Sequence, residues 1–442
     1  MRLIIENIAK VKAADVQLNG LTVIAGENSS GKSTVGKVLF SAVKAMAEAR
    51  NDTDKNRLNA INKQVTSLYT RLRGAFSRYE NKEYDELFPL PQRTFTKTLM
   101  DAEESGTIDD YLRKLTDAIQ DFGNVTPRLK ALMLRDLENI AINIKNKDNR
   151  AATLKTIMEY SIESEFMNSI CTFGHHSASI RLMMDNDSDK VYLNLQIEDE
   201  KVDKVSVGPG EPLSDATYVE SPLYLHMLDT LLNADTFREG SSRIHRRSML
   251  PVHIKDLAEK IDAMRLASPE PLLFDQLDIR DIIEGEFLYD TKKRMLSFQQ
   301  GDKSISPINV ASGIKSFGLV QMLLETNTIS ANKILIWDEP ENHLHPQWQI
   351  LFAKLLVKLS KMGIPVMVST HSPYFVQGVR FFAAQQDMEP FVNYYLAEVE
   401  DDGVSELREV TDDLNAIFLK LSKPLNEIMN VDLARRRRAS ND

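Results

Sequence analysis

The chain has 442 residues, a formal net charge of −10 and 43% apolar residues, which is ordinary for a globular protein and allows two or three modest cores or one α/β core with a large insertion. The acidic balance excludes a protein coated in basic surface, although a local basic groove remains compatible with it. No apolar run approaches the roughly 18 residues of a membrane span, and the start MRLIIENIAKVK is too short and too soon charged for a signal peptide, so we expect a cytoplasmic protein without a membrane partner.

The first elements in chain order are two short strands followed by a long helical region. Residues 3–8 (LIIENI) and 21–25 (LTVIA) are rich in β-branched residues, and the second run ends at a glycine loop that opens a helix. From about 45 to 165 the pattern is helical and charged. Apolar residues three and four apart predict a seam that packs within its own helical bundle rather than against a partner: Leu58, Ile61, Val65, Leu68, Leu72 and Ala75.

Strand patterns return in the middle of the chain. SIRLMM (179–184), VYLNLQI (191–197) and the apolar run ATYVESP before Pro222 predict an antiparallel sheet attached to the first strands. A second helical stretch covers about 222–284, and GEFLYD and RMLSFQ predict a hairpin around TKK. The single cysteine, Cys171, excludes internal disulfides and is expected to be a small buried hydrophobe.

From residue 311 onward helix and strand alternate, which predicts a parallel sheet. A last hairpin around DDG, a helix and a basic tail follow. We expect this division of the chain: an ATPase lobe at 1–44, a helical insertion at 45–165, antiparallel strands of the lobe at 166–222, a second helical insertion at 223–284, the rest of the lobe at 285–400, and the hairpin, helix and tail at 401–442.

The stretch GENSSGKST has the spacing of a P-loop, G-x-x-x-x-G-K-S, between a strand and a helix. In such a loop, backbone N–H groups converge on a phosphate, the lysine lies between the β- and γ-phosphates, and the following serine binds Mg²⁺. The alternative, a glycine turn that caps a helix beside an exposed lysine, is less compatible with the flanking strand and helix. The predicted nucleotide-binding residues are Gly26, Glu27, Asn28, Ser29, Ser30, Gly31, Lys32, Ser33 and Thr34.

ILIWDEP places two acidic residues at the end of a buried strand, where parallel sheets bind ligands. Asp338 is predicted to join Ser33 at Mg²⁺, and Glu339, one residue further, to accept a proton from the attacking water. Alone, the pair would be read as an acidic turn. Beside a P-loop, it indicates an ATPase with Lys32 and Glu339 as catalytic residues.

Two further segments follow the order expected of a particular class of ATPase. NVASGIKS offers Ser312 and Gly313 at the start of a helix, which is a second anion site, and STHSP delivers His371 to the end of the strand IPVMV. Taken singly, a Ser-Gly helix start carries no signal and a lone histidine after a strand is usually structural. In this order and spacing both become predicted site residues, with His371 catalytic.

The order GENSSGKST, VASGIKS, ILIWDEPENHLHP, STHSP resembles the ABC-type ATPases, and more narrowly their SMC-like and RecF-like branch with the OLD-family and related phage-defence ATPases. EPENHLHP is the most branch-specific match, and the resemblance covers roughly 1–44 and 280–380. The chain departs from the family at Ile8, Ala9 and Lys10 and at Ile314 and Lys315. The implied fold class is α/β: an ABC-type head with a mixed parallel sheet, an antiparallel subdomain and large helical insertions.

The resemblance implies a function as well. Two heads face each other as a homodimer or higher homo-oligomer, ATP and Mg²⁺ bind between them, Ser312 and Gly313 contact the γ-phosphate of the other chain, and His371 senses that phosphate. Because too few residues follow His371 for a Toprim nuclease, a separate effector, a nuclease or toxin, is expected, with nucleic acid as a further possible partner. The alternative is the nucleotide-binding subunit of a membrane transporter, against which the long stretch between Ser33 and Ser312 argues.

Three smaller questions stay open on the sequence alone. The cluster Glu341, Asn342, His343 and His345 could bind a transition metal, but a loop at a dimer contact explains it better. The run Arg435–Arg438 is expected to be a solvated tail, with nucleic-acid contact the lesser reading. In the family a glutamine joins the two lobes, and sequence spacing does not distinguish among the candidates Gln64, Gln196, Gln299 and Gln300.

Overall fold

The structure is a computed structural model, and it describes the chain outside a set of short segments: 76–85, 123–124, 146–149, 168, 185–186, 209–212, 233–249, 267–276, 291–294, 425–427 and 430–442. The run Arg435–Arg438 therefore lies outside the described residues. The chain forms two compact units, one from 1–47 with 155–442 and the other from 48–154.

The first unit is built on one 11-stranded sheet, with strand order β6-β5-β4-β1-β2-β14-β13-β3-β12-β11-β7. Its strands are β1 (Arg2–Ile8), β2 (Val11–Gln17), β3 (Leu21–Gly26), β4 (Ser177–Met184), β5 (Asp187–Glu198), β6 (Lys201–Val207), β7 (Asp215–Val219), β11 (Lys333–Asp338), β12 (Val366–Thr370), β13 (Val392–Val399) and β14 (Ser405–Glu409). The strands from β6 to β2 pair antiparallel, and β13, β3, β12, β11 and β7 pair parallel. This mixed α/β fold agrees with the predicted class.

One strand differs from the sequence prediction. ATYVESP was expected to extend the antiparallel sheet, but β7 pairs in parallel with β11, with Tyr218 opposite Ile336 and Val219 opposite Trp337. The antiparallel strands β4 to β6 are attached to the first strands as predicted, because β4 pairs directly with β1. The prediction for β7 was wrong because this strand is a short, almost entirely buried run, whose composition does not reveal which neighbour it pairs with.

The first unit also contains whole helices or parts of helices. They are α1 (Lys32–Ala75), α5 (Arg150–Phe166), α6 (Leu228–Leu232), α7 (Val252–Asp262), α8 (Ile279–Ile283), α9 (Ser312–Glu325), α10 (Pro346–Lys361) and α11 (Pro373–Gln385), with a last helix at 415–424. Side chains alternate between the faces of β11: Trp337 packs edge-on against Phe352 of α10, whereas Ile336 lies against Gly36 of α1. The strand is therefore buried on both sides.

A second sheet of three antiparallel strands lies in the same unit: β8 (Glu286–Asp290), β9 (Met295–Gln300) and β10 (Lys303–Ile305). The β8–β9 hairpin was predicted, and it is confirmed. Gln321 of α9 is fully buried, and its side chain bonds the backbone N–H and C=O of Phe287 at 3.0 Å each. It thereby ties the helix to this hairpin.

The second unit is helical. It contains α2 (Gln92–Glu104), α3 (Ile108–Asp121), α4 (Pro127–Lys145) and the part of α1 from residue 48 onward. Four seam residues, Ile61, Val65, Leu68 and Leu72, are buried in one cluster with residues of α2, α3 and α4. The seam thus packs within its own bundle, as predicted. Across the residues that the structure describes, no helix has the length and apolarity to cross a bilayer.

Candidate nucleotide site

The loop between β3 and α1 has a conformation that depends on its glycines. Gly31 has a φ of +82°, and a Cβ there would lie 2.8 Å from Val11 Cγ2. A Cβ on Gly26 would lie 2.8 Å from Ser30 Oγ and 2.9 Å from the carbonyl oxygen of Ala397. A side chain at either position would therefore force the loop open. The strand–loop–helix arrangement is the one the P-loop spacing predicts.

Lys32 is the first residue of α1 and is only 4% exposed. Its ammonium donates to the carbonyl oxygens of Gly26, at 3.0 Å, and Glu27, at 2.7 Å, so the side chain folds back over the loop. Burial lowers the pKa of Lys32, and the carboxylates of Glu339 and Asp338 oppose that shift. The Lys32 side chain is thus buried near the carboxylates that end β11, and the alternative of an exposed helix-capping lysine is wrong.

The remaining loop residues differ in exposure. Glu27, Asn28 and Ser29 are exposed, Ser33 and Thr34 are half-buried in the first turn of α1, and Ser30 is buried. The Ser30 hydroxyl is among the buried polar atoms without a hydrogen-bond partner. A buried hydroxyl in this state is one that a ligand oxygen would satisfy.

Asp338 is the last residue of β11 and is buried. Its two carboxylate oxygens are held by different strands. Tyr218 of β7 donates its hydroxyl to Oδ2 at 3.0 Å, and Ser369 of β12 donates its hydroxyl to Oδ1. Asp338 lies opposite Ser369 in the parallel register, so the contact with Ser369 follows from the pairing of adjacent strands.

Glu339 and His371 come together just beyond β11 and β12. Glu339 leaves the strand with a φ of +48°, so its backbone turns away from the extended geometry of β11. Its Oε1 lies 3.2 Å from His371 Nδ1, and its Oε2 accepts a hydrogen bond from Asn342 at 3.0 Å. His371 lowers the pKa of Glu339 to about 2 although burial opposes the shift, and Glu339 raises the pKa of His371. The two side chains are close enough to form an ion pair when His371 is protonated.

Glu341 has a role that the sequence analysis missed. The side chain is buried, and its Oε1 accepts from the Thr370 hydroxyl at 2.7 Å and from the backbone N–H groups of His371 and Ser372 at 2.6 and 3.1 Å. It therefore fixes the backbone that carries His371. Burial raises the pKa of Glu341. A weak signal was present in the sequence, since an acidic residue three positions after the strand end could face the loop of the neighbouring strand.

The transition-metal reading of this loop finds no geometric support. Glu341 is engaged with the 370–372 backbone, and His345 caps α10 by accepting from Gln347 N through Nδ1 at 3.3 Å. Within the described part of the chain, no three His, Cys, Asp or Glu side chains are grouped to hold such an ion.

The helix start at Ser312 lies beside the loop that follows β11. Ser312 is half-buried and its hydroxyl donates to the carbonyl oxygen of His343 at 3.5 Å. A Cβ on Gly313 would lie 2.9 Å from Trp348 and 3.1 Å from Leu344, so this glycine permits close packing of α9 on α10. Lys315, where the family signature departs, is buried and donates to His226. These contacts connect Ser312 and Gly313 to the loop after Glu339 within one chain.

None of the four glutamines considered for joining the lobes lies at the end of a parallel strand. Gln64 is in α1, Gln196 is on β5, and Gln299 and Gln300 are on β9. The residue that follows β7 is Glu220.

The residues present fit a nucleotide and its magnesium ion. The glycine loop leaves no room for a Cβ, the ammonium of Lys32 is buried, and the hydroxyl of Ser30 lacks a partner. Ser33 and Asp338 offer the hydroxyl and carboxylate oxygens that Mg²⁺ prefers, and Mg²⁺ needs only one or two protein ligands when phosphates and water supply the rest.

Comparisons with known proteins agree with part of this picture. Residues 226–376 match a family model described as AAA ATPase domain. That span is about a third of the chain; it includes Ser312, Asp338, Glu339 and His371 but not the P-loop. A search of curated proteins finds no match.

Three solved structures resemble the chain. The SMC head domain from Thermotoga maritima has 10% identity and a TM-score of 0.36, and the match covers 92% of this chain and 98% of that one. An SMC head bound to the C-winged helix domain of ScpA has 11% identity and a TM-score of 0.39, with coverages of 94% and 98%. An SMC head with an extended coiled coil, bound to the C-terminal domain of ScpA derived from Pyrococcus furiosus, has 9% identity and a TM-score of 0.36, with coverages of 97% and 98%. These TM-scores are too low to bear on function. Over residues 226–376, then, the chain is similar to AAA ATPase domains.

Proposed function

We propose that the chain is a Mg²⁺-dependent ATPase that works as an ABC-type switch. The observation that carries the proposal is that Lys32, at the start of α1, lies near Asp338 and Glu339 at the end of β11. The charges of both carboxylates act on the lysine, because they oppose the lowering of its pKa by burial. His371, at the end of the adjacent strand, completes the group. The match to AAA ATPase domains supports the same reading.

The phosphate end of the substrate would be bound by the loop and Lys32. Backbone N–H groups at the start of a long helix favour anions, and the helix dipole adds to that preference. Lys32 now donates to two carbonyl oxygens of its own loop. Exchanging them for phosphate oxygens replaces neutral acceptors with charged ones, which bind an ammonium more strongly.

Ser33 and Asp338 would hold the magnesium ion. Bound there, Mg²⁺ neutralises charge on the β- and γ-phosphates. The Asp338 carboxylate is already oriented by hydroxyls on both of its oxygens. Little rearrangement of the protein is therefore needed for binding.

Glu339 would orient the attacking water. A carboxylate with a pKa of about 2 is ionised at neutral pH, so it accepts a hydrogen bond but has little tendency to keep a proton. In phosphoryl transfer positioning and electrostatics matter more than basicity, so this suits the role. His371, whose Nδ1 lies 3.2 Å from Glu339 Oε1, would turn toward the γ-phosphate as a hydrogen-bond donor.

Ser312 and Gly313 would act on the nucleotide of a second copy. Both lie in the first turn of α9, whose N–H groups have no partner within the helix. In their own chain they contact the loop after Glu339. A change at the γ-phosphate can therefore reach them through residues 339–344, which is the kind of link a switch requires.

Sedimentation velocity tests the switch. Glu339→Gln should bind ATP without turning it over, so with ATP and Mg²⁺ it should sediment as a dimer and with ADP as a monomer. Adding Lys32→Ala to the same protein should abolish the ATP-dependent dimer. Equal sedimentation with ATP and ADP would contradict head association on ATP.

The wider role that we propose is the sensor or scaffold subunit of a nucleic-acid-related or anti-phage defence system with a separate effector. It is supported by the resemblance carried by EPENHLHP and by the separate helical unit at 48–154. Three cations of the antiparallel strands, Arg2, Lys12 and Arg181, are paired with carboxylates, so this part of the sheet is a weak candidate for phosphate contacts.

Immobilised Glu339→Gln protein, incubated with ATP or with ADP, tests the wider role. Protein or nucleic acid retained only with ATP is the expected result. An identical bound set with both nucleotides would count against an ATP-controlled effector.

A further inference from the structure

Tyr218 is a fully buried tyrosine on β7 whose hydroxyl reaches the proposed magnesium ligand. It donates to Asp338 Oδ2 at 3.0 Å. Because Tyr218 lies opposite Ile336 in the register, its side chain is on the same face of the sheet as Ile336 and Asp338 and reaches the carboxylate diagonally. The phenolic hydroxyl is the donor in this contact, because the carboxylate oxygen can only accept.

This hydroxyl complements that of Ser369 on the other carboxylate oxygen. One donor comes from β7 and the other from β12, the two strands that flank β11. With both contacts present, rotation of the carboxylate about its Cβ–Cγ bond is blocked. Without the Tyr218 contact, Oδ2 would be buried beside a ring edge with no donor from β7.

The position of the Tyr218 ring is itself fixed on two sides. A Cβ on Gly36 of α1 would lie 2.8 Å from Tyr218 Cε2, so the P-loop helix rests directly on the ring. On another side the imidazole of His253 packs with its centroid 4.8 Å from that of the tyrosine.

His253 is buried between two carboxyl groups. Its Nδ1 lies 2.6 Å from Glu165 Oε2 and its Nε2 3.0 Å from Glu220 Oε2, and its side chain is fully buried. Burial lowers the pKa of His253, but the hydrogen bonds with Glu165 and Glu220 outweigh it and raise the pKa. Glu220 also accepts from Tyr224 at 2.8 Å. A ring bonded at both nitrogens cannot rotate, so it forms a rigid wall for Tyr218.

We infer that Tyr218 is a positioning residue for magnesium: it orients the Asp338 carboxylate, and the clamp of Glu165, His253 and Glu220 together with Gly36 holds its ring in place. The inference rests on the proposed function, because it presupposes that Asp338 is a ligand of Mg²⁺. Partners that orient a metal ligand typically change metal affinity by about 10- to 100-fold when removed.

The test is Tyr218→Phe, which removes the hydroxyl and keeps the ring. ADP binding is followed by calorimetry over a series of Mg²⁺ concentrations and in EDTA. The Mg²⁺ concentration needed for half of the affinity gain should rise about tenfold, while ADP affinity in EDTA should not change, because the loop and Lys32 are intact. An unchanged Mg²⁺ requirement would overturn the inference.

A control and a second variant complete the design. Tyr395→Phe removes another buried hydroxyl of the same sheet, one that accepts from Gln17 N, and should leave the Mg²⁺ requirement at the wild-type value. Gly36→Ala keeps the Tyr218 hydroxyl but displaces the Tyr218 ring, so it should raise the Mg²⁺ concentration needed for half of the affinity gain. This variant replaces Tyr218→Phe in the test if Tyr218→Phe does not fold. If ADP binding by the wild type does not depend on Mg²⁺, the proposed function itself is refuted. If ADP binding by the wild type depends on Mg²⁺ and the variants require the same Mg²⁺ concentration, only the role of Tyr218 is refuted.

Discussion

The Oε1 atom of Glu339 lies 3.2 Å from Nδ1 of His371, just beyond the ends of two adjacent parallel strands. Their strands are in register, with Asp338 opposite Ser369, so the residues that follow must approach each other. The backbone N–H of Glu339 donates to the carbonyl oxygen of Ser369 at 2.9 Å, which locks that approach. The proposed water-orienting group and the proposed phosphate sensor thus form one unit.

This ion pair predicts a pH-dependent contribution to stability. The folded pKa of His371 is raised, so its contribution is complete below the unfolded value of about 6.5 and is lost as the pH rises through the folded pKa. The folded pKa of Glu339 is lowered to about 2, so its contribution is present above the unfolded value of about 4.3. The pair therefore stabilises the fold most between about pH 5 and pH 6.5.

His371→Gln should reduce the free energy of unfolding more at pH 5.5 than at pH 9. The difference should be about 1 kcal/mol or less, because the histidine side chain is 38% exposed and solvent screens the pair. Urea denaturation at the two pH values measures it. His176→Gln is the control, since that histidine pairs with Asp199 in an exposed position. Equal losses at both pH values for His371→Gln would show that the pair does not titrate as described.

Lys32→Ala should weaken ATP binding by about 10- to 100-fold, the effect of losing a charge-assisted hydrogen bond of about 1.5–3 kcal/mol. Calorimetric titration with ATP and Mg²⁺ measures the affinity. Lys97→Ala, at an exposed position of α2, should bind ATP as the wild type does. If Lys32→Ala kept wild-type affinity, the loop would not be a phosphate site.

Gly31→Ala should lower the free energy of unfolding by more than the cost of placing an alanine at a positive φ. Its positive φ costs an alanine about 1–2 kcal/mol, and the contact at 2.8 Å with Val11 adds a clash of about 1–3 kcal/mol. Gly363→Ala is a matched control, with a φ of +87° and nothing within 4 Å of its Cβ. Thermal or urea unfolding of the two variants gives the comparison, and losses of equal size would mean that Val11 gives way without cost.

The parts of the fold that could be predicted were those with a strong local signal. The P-loop spacing located β3 and the start of α1, and ILIWDEP located β11 with Asp338 at its end, because a buried strand followed by acidic residues is a local pattern. The seam of α1 was predicted for the same reason, since a period of three and four residues marks one helix face.

The parts that could not be predicted depend on how distant segments pair. β7 was expected to be antiparallel, so Tyr218 was not recognised as a neighbour of Asp338. The two residues are 120 positions apart in sequence, and only the parallel pairing of β7 with β11 brings them together. The inward turn of Glu341 depends on the loop at 370–372, and the burial of His253 depends on Glu165, 88 positions away. Sequence periodicity holds no information about such contacts. Roles for these residues emerge only from the fold.

The central claim is that Lys32, Asp338, Glu339 and His371 form one ATP-hydrolysing site, and steady-state phosphate release from Mg²⁺ATP tests it most directly. The wild type should release phosphate, and Glu339→Gln should release it about 10²- to 10⁴-fold more slowly while binding ATP as tightly. Glu104→Gln, at an exposed position of α2, should match the wild type. Turnover by Glu339→Gln at the wild-type rate, or no phosphate release by the wild type, would contradict the account.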